Sequence, residues 1–287
     1  MEKVAVLADR VARGRVVVLT GAGVSTESGI PDYRSPEALA RPRRPITGPE
    51  FLRSATVRRR YWARASAGWE RIRVARPGPA HQAVAALERR GAVTCVITQN
   101  VDRLHQAAGS RRVIELHGAL AEVTCLDCGR FEDRDAVQAR LREANAAWDG
   151  RYATTAHGAQ AAPDGDADLS DEAVASFAVP DCAICGGVLK PHVVFFGENV
   201  PRIVVDRAFA ALDDADALLV AGTSLAVFSG FRFLRRAAER GIWIGIVNRG
   251  PVRGEEHAAL KIEASTGHVL TELAAALPTL QPLRREA

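Results

Sequence analysis

Three groups of residues in this 287-residue sequence have the types and spacing to do chemistry. Cys125-x-x-Cys128 and Cys182-x-x-Cys185 form two thiol pairs, Gly21-Ala22-Gly23 opens a small-residue loop after an apolar run, and His117-Gly118 closes another run. Each thiol pair can supply half of a tetrahedral thiolate shell, and four thiolates leave no open position, so the expected zinc is structural. The 53 residues between the pairs far exceed the ~15–20 of a compact zinc ribbon, so the fold must bring them together. A redox role is the alternative for one pair alone, and the second pair argues against it. Gly129 and Gly186-Gly187 suit the turns such knuckles require. An imidazole titrates near neutrality, so His117 can accept a proton at working pH, although a structural histidine is the plainer alternative.

Gly21 and Gly23 lack Cβ atoms and let backbone N–H groups approach a pyrophosphate. The usual dinucleotide fingerprint would place glycine where Thr26 stands, and no acid closes a second strand at the usual distance. A tight turn without ligand therefore remains open at this point. Gly29-Ile30-Pro31-Asp32-Tyr33-Arg34 adds an acid, an aromatic and a cation on a loop expected above a cofactor. Hydride transfer needs no such lid, whereas a reactive ribosyl cation needs shielding from water.

These groups must be positioned by regular elements. Apolar positions Val4, Leu7, Ala8 and Val11 have helical spacing over 2–13. Short apolar runs at 16–19, 93–98, 112–116, 217–221 and 242–247 alternate with helical segments at 79–90, 202–213 and 231–240. That rhythm predicts an α/β fold, a doubly wound parallel Rossmann-like sheet with a second, smaller zinc-binding module. The expected sheet domain takes 1–34, 79–118 and 196–287. The module takes 35–78 and 119–195, including a Gly/Asp/Ala-rich surface loop over 157–170. Gln99, Asn100, Val101 and Asp102 follow one strand, Gly222-Thr223-Ser224 a second and Asn248-Arg249-Gly250 a third, all at carboxyl edges where ligands of open sheets bind. Asn100 or Asp102 could equally cap a helix over 101–108.

Net charge is +4 with a pI near 9.0, and only Lys3, Lys190 and Lys261 are lysines among 38 basic residues. The densest cluster, Arg58-Arg59-Arg60 with Arg64, reads as a solvated helix face rather than a polyanion site. No aromatic and basic stacking platform accompanies the cysteines, so no nucleic-acid partner is expected. No apolar run reaches 18 residues and the N-terminus has no signal pattern, so no membrane partner and a cytoplasmic location are expected. Cys95, inside an apolar run, reads as a buried small hydrophobe.

The sequence resembles the sirtuin family, on blocks arriving in family order from about residue 15 to 275. They are Gly21–Arg34, with Tyr33 where phenylalanine is usual; Thr98–Gly109; His117-Gly118; the paired cysteines; Lys190–Glu198; Gly222–Leu225; and Asn248. The resemblance implies an NAD-dependent protein-lysine deacylase, with NAD as co-substrate, one structural zinc ion and acylated-lysine proteins as substrates. It implies that the acyl-lysine oxygen attacks the nicotinamide ribose and nicotinamide leaves. His117 then acts as general base on the ribose hydroxyls, giving O-acyl-ADP-ribose and free lysine. Asn100 would order the reacting ribose and Asp102 bind the nicotinamide amide. Gly21 to Gly23, Thr26, Ile30 to Arg34, Gln99 to Asp102, Gly222 to Ser224, Asn248 to Gly250 and Thr266 would contact the cofactor. The family more often has an acid where Gly250 stands. Val194, Phe195, Phe196, Gly197 and Glu198 would give a strand edge to the substrate peptide, opposed by 226–230. The stretches at 60–64, 79–84, 162–166 and 229–233 resemble the class II branch, including the mitochondrial member of animals. Tyr61-x-x-Arg64 has the spacing of a pair that reads acidic acyl groups in related branches, with a scaffold role for Arg64 as the alternative. Mono-ADP-ribosyl transfer to protein, or NAD sensing without catalysis, are the rival functions. The oligomeric state is not legible.

Overall fold

Val16-Val17-Val18-Leu19 has no polar side chain to offer water, so it must be covered on both faces. In the computed structural model, which describes residues 2–34, 45–148 and 169–277, it is the central strand of a six-stranded sheet. The strands of that sheet are β1 (Val16–Thr20), β2 (Val93–Thr98), β3 (Val113–Glu115), β7 (Ala217–Ala221), β8 (Trp243–Val247) and β9 (Leu260–Ile262). Their order is β3-β2-β1-β7-β8-β9 and every pairing is parallel. The period of two along β1 sends Val16 and Val18 to one face and Val17 and Leu19 to the other. The first face is covered by helices 2–12, 79–89 and 266–276 through Leu7, Val84, Leu87, Leu270 and Leu273. Leu212, Phe233 and Leu234 of helices 202–213 and 228–239 cover the second. The chain leaves β1 towards β2 on one side and returns at β7 on the other. This makes β1/β7 the switch point at whose carboxyl ends open α/β sheets bind ligands.

The expected strands at 93–98 and 217–221 match to the residue, and helix 202–213 does as well. Leu260–Ile262 was not expected as a strand: only Ile262 of its three residues is buried, too little for a periodicity. The helix expected over 101–108 shrinks to Leu104–Ala107, because Arg103 takes a left-handed φ of 60° and Asp102 Oδ1 receives Leu104 N–H at 2.9 Å. The helix expected from 231 begins at Phe228.

By its contacts the chain divides into one unit of 1–29, 76–116 and 200–287 and a second of 30–75 and 117–199. Ile30–Arg34, His117-Gly118 and Phe196–Asn199 therefore go with the smaller unit, where the expected borders assigned them to the sheet domain. The smaller unit holds an antiparallel sheet, β5 (Phe131–Asp133), β4 (Gly118–Cys125) and β6 (Leu189–Val193) in that order. A register break between Gly118 and Val123 in the β4–β6 pairing spoils the alternation that would have marked β4 in the sequence. Gly118 has φ of 75°, and a Cβ there would stand 2.0 Å from His192 O, so the glycine after His117 is fixed by backbone packing.

Helix 55–74 starts on Ser54, whose side chain accepts Val57 N–H, and buries Tyr61, Trp62 and Trp69. Arg134 lies 4.9 Å from the Trp69 ring centre and 5.4 Å from that of Trp62. It donates to Gln138 Oε1 at 2.7 Å and to Ala65 O, and burial draws its guanidinium down to about 10, still charged at neutrality. Arg58 donates to Phe51 O and Leu52 O, and Arg59 to Ala175 O, so two arginines of the basic cluster cap the carboxyl ends of neighbouring helices. Of the loop expected over 157–170, residues 157–168 lie outside the described residues, as does the 162–166 stretch. Among the described residues no helix is long and apolar enough to cross a membrane.

Candidate active site and zinc centre

Polar side chains collect where β1 and β2 end. Thr20 Oγ1 donates to Thr98 Oγ1 at 2.9 Å and meets His105 Nε2 at 3.0 Å, so that ring nitrogen carries the proton. Thr98 Oγ1 also accepts Asn100 N–H at 3.1 Å. Beyond them Ser25 Oγ donates to Asp102 Oδ2 at 2.7 Å and accepts Asn100 Nδ2–H at 3.0 Å. His81 accepts Gly78 N–H on Nδ1 at 3.2 Å, so its protonated Nε2 points at Ser25 Oγ, 3.3 Å away. Asn100 gives a further hydrogen bond to Gly21 O. The expected Asn100 and Asp102 are thus brought together, and Asp102 also starts helix 104–107: capping and site coexist in one side chain. Sequence reasoning missed Ser25, His81, Thr20 and Thr98, whereas His105 reads from its helical spacing as a structural neighbour and stands as one, buried against Thr20. Ser25 and His81 stand inside quoted motifs, but nothing local marks a hydrogen bond across 56 residues.

The glycine loop is tighter than a phosphate cradle alone would require. Gly23 N–H donates to Gly222 O at 2.8 Å, and a Cβ at Gly23 would lie 2.8 Å from that oxygen. A Cβ at Gly21 would lie 2.6 Å from Thr223 Cβ. The two turns after β1 and β7 therefore need each other's glycines to pack. Thr223 Oγ1 accepts both Gln99 Nε2–H and Leu225 N–H, which leaves its own O–H to donate. Ala22 is half-buried in the turn after β1 and Val101 in the stretch after β2, and Thr26, exposed, returns its hydroxyl to Gly23 O. Ser224 O accepts Arg253 N–H at 2.9 Å. At the far end Asn248 directs Nδ2 to Arg249 O and Gly250 O, with Arg249 exposed. Thr266 Oγ1 reaches back to Gly23 O at 3.4 Å.

The remaining expected residues belong to the smaller unit. His117 is half-buried and its carbonyl accepts Val194 N–H at 2.9 Å. Ile30 is buried and Pro31 half-buried, Asp32 Oδ1 accepts Arg34 N–H at 3.0 Å, and Tyr33 is exposed. The segment expected to give a strand edge, Val194–Glu198, is not a strand in the free chain: β6 stops at Val193, and the chain turns. Glu198 Oε2 accepts Phe195 N–H at 2.8 Å and pairs with Lys190 Nζ at 3.1 Å, which itself donates to Val193 O. This ion pair locks the turn; burial still draws the Lys190 ammonium below its usual range. Phe196 O takes Gly48 N–H, with Thr47 and Phe196 forming a lone bridge, and Gly197 carries the turn at φ of 81°. Tyr61 is buried against Phe51 and Phe195, ring centres 5.5 and 5.2 Å away, and Arg64 shares its helix face, half-buried.

The four cysteine sulfurs all lie within 4.8 Å of one another. A tetrahedral ion with Zn–S of about 2.3 Å sets its sulfurs about 3.8 Å apart. Cys125 and Cys185 are 3.5 Å apart, and Cys128 and Cys182 3.9 Å. The donor set fits zinc. Both knuckles close the same way: Gly129 N–H bonds Cys125 O, and Gly186 N–H bonds Cys182 O. Backbone N–H groups of Cys128 and Asp127 aimed at Cys125 Sγ hold that thiol down at about 7, ready to ligate.

The Sir2 family model matches residues 21–229. The chain is 52% identical over 259 residues to an NAD-dependent protein deacetylase of Xanthomonas axonopodis pv. citri, covering 90% of this chain and 86% of that one. It is 50% identical over 268 residues to NAD-dependent protein deacetylase 1 of Streptomyces coelicolor, covering 93% and 88%. A solved Sir2–p53 peptide–NAD+ complex superposes with a TM-score of 0.71 at 30% identity, over 94% of each chain.

Two outcomes are expected. Burial lowers the His105 imidazole to about 3 and lowers His81 as well. From about pH 6.5 down to about 3 the unfolded chain therefore binds a proton that the folded His105 refuses. Stability falls by about 1.4 kcal/mol per pH unit for such a group in that window. Urea titrations at several pH values should show a shallower acid slope in His105→Asn than in wild type; equal slopes would contradict the assignment. Stripping metal with a chelator should release one zinc per chain and lower the melting temperature by more than about 10 °C, as should Cys185→Ser without chelator. A metal-free chain melting like the untreated protein would rule the centre out.

Proposed function

The chain belongs to the Sir2 family, and from that premise we propose that it is an NAD-dependent protein-lysine deacylase with His117 as general base. The observation that carries the reading is the Ser25-centred network, which fixes Asn100 and Asp102 at the carboxyl ends of the strands beside the paired glycine turns. A chain that only bound NAD would need the turns, yet not an amide and a carboxylate held by shared buried hydrogen bonds.

NAD supplies the ribose carbon that accepts the acyl oxygen as nicotinamide leaves. With NAD bound, Asp102 would hold the nicotinamide amide, Asn100 would order the reacting ribose, and His117 would take a proton from the ribose hydroxyls. Cys125, Cys128, Cys182 and Cys185 would fill the shell of a zinc ion, so the ion would hold the small unit in shape. The substrate is the acylated lysine of a protein, engaged through Val194–Glu198; the p53 peptide in the related complex supports a peptide ligand. Reduced thiols suit a cytoplasmic enzyme.

Within the family we place the chain in the class II branch, on Arg60–Arg64, Pro79–Val84 and Ser229–Phe233. Tyr61 and Arg64 then read the acyl group. The aromatic cluster around Tyr61 gives an apolar wall, and the Arg64 guanidinium can pair with a terminal carboxylate. Glutaryl-type chains should be removed about tenfold faster than acetyl, and Arg64→Ala should erase that preference. Mass spectrometry of acetyl-, succinyl- and 3-methylglutaryl-peptides with NAD measures both. In the same assay His117→Ala should lose about 10²–10⁴ of turnover. Equal rates for all acyl groups, unchanged by Arg64→Ala, would remove the acyl assignment, and undiminished turnover in His117→Ala would remove the mechanism.

A further inference from the structure

The last two strands of the large sheet bring together two loops that are distant in sequence. β8 and β9 run parallel with Val247 opposite Ile262, and Asn248 N–H donates to Ile262 O at 3.2 Å. At that carboxyl edge the chain continues as Asn248-Arg249-Gly250 after β8 and as Glu263 after β9. Gly250 has φ of 76° and open space where a side chain would project. Its N–H donates to Glu263 Oε1 at 3.3 Å. A carboxylate therefore stands beside Gly250, although that position carries none of its own.

In parallel nucleotide-binding sheets, a carboxylate at the carboxyl end of a strand accepts the ribose 2′-hydroxyl of NAD and disfavours the 2′-phosphate of NADP. Three features suit Glu263 to that task. It is exposed, so ligand can reach it. The nearest lysine in sequence, Lys261, is taken by Glu255 at 2.7 Å and does not neutralise it. Its loop is tied at the other end to the glycine loop, where Ser265 Oγ donates to Glu27 Oε1 at 2.9 Å and Thr266 Oγ1 meets Gly23 O. A Cβ at Gly267 would overlap Glu27 Oε2, so this tie is close-packed. The loop after β9 thus runs from beside Gly250 to the glycine turns.

We propose that Glu263 recognises the adenosine ribose of NAD, with Oε1 kept on Gly250 N–H and Oε2 accepting the 2′-hydroxyl, and that it selects NAD against NADP. The proposal rests on the NAD-dependent reading above. Calorimetric titration of the zinc-loaded full chain with ADP-ribose and with its 2′-deoxyadenosine counterpart tests it directly. Wild type should bind the deoxy ligand about tenfold or more weakly. Glu263→Ala should bind ADP-ribose more weakly by a similar factor and no longer tell the two ligands apart. Glu263→Gln, of the same shape, should narrow the gap between KM for NAD and for NADP. A Glu263→Ala protein that still loses tenfold on the deoxy ligand overturns the proposal alone. A wild type that binds no ADP-ribose and releases no nicotinamide overturns the deacylase reading, and this proposal with it.

Discussion

Ser25 Oγ is 1% exposed with its residue, gives one hydrogen bond to Asp102 and lies within reach of two donors, Asn100 and His81. A buried hydroxyl in that position decides where the other three side chains can stand. Removing it would leave polar atoms of Asn100, Asp102 and His81 with a lost partner, at about 1–3 kcal/mol for each left unsatisfied. The glycine turns depend on the same point, since Asn100 also holds Gly21 O and Gly23 N–H is tied to Gly222 O. Chemistry-bearing side chains and phosphate-sized turns are in this way parts of one hydrogen-bonded layer on top of β1, β2 and β7.

The smaller unit is stabilised differently. Its sheet has three strands, and its apolar cluster around Phe51, Trp62, Val137 and Leu141 is capped by Arg134 sandwiched at two tryptophans. A structural zinc site can supply about 10–16 kcal/mol of folding free energy, more than such a small core yields by itself. The cysteine knuckles lie at the end of β4 and before β6, so a bound ion would staple the two strands whose register break leaves few regular pairings.

How much was legible follows from sequence distance and from burial. β2 and β7 read to the residue because strands covered on both faces are continuous apolar runs. β4 did not, because its bulge mixes buried and exposed positions, nor did β9, with three residues at the sheet edge. Cys125, Cys128, Cys182 and Cys185 were readable because metal ligation imposes spacing within each pair. Ser25 and His81 were not, because their roles arise only when β1, β2 and helix 79–89 are packed together. Val194–Glu198 is a turn rather than the expected strand for a local reason: Lys190 and Glu198 form an ion pair that bends the segment.

The most direct test of this dependence is nicotinamide release by Ser25→Ala, measured together with its melting temperature. The account predicts a loss of about a hundredfold or more in kcat/KM for NAD, from misplaced Asn100 and Asp102, in a protein that still folds and holds one zinc. A Ser25→Ala enzyme that folds and releases nicotinamide at the wild-type rate would contradict it.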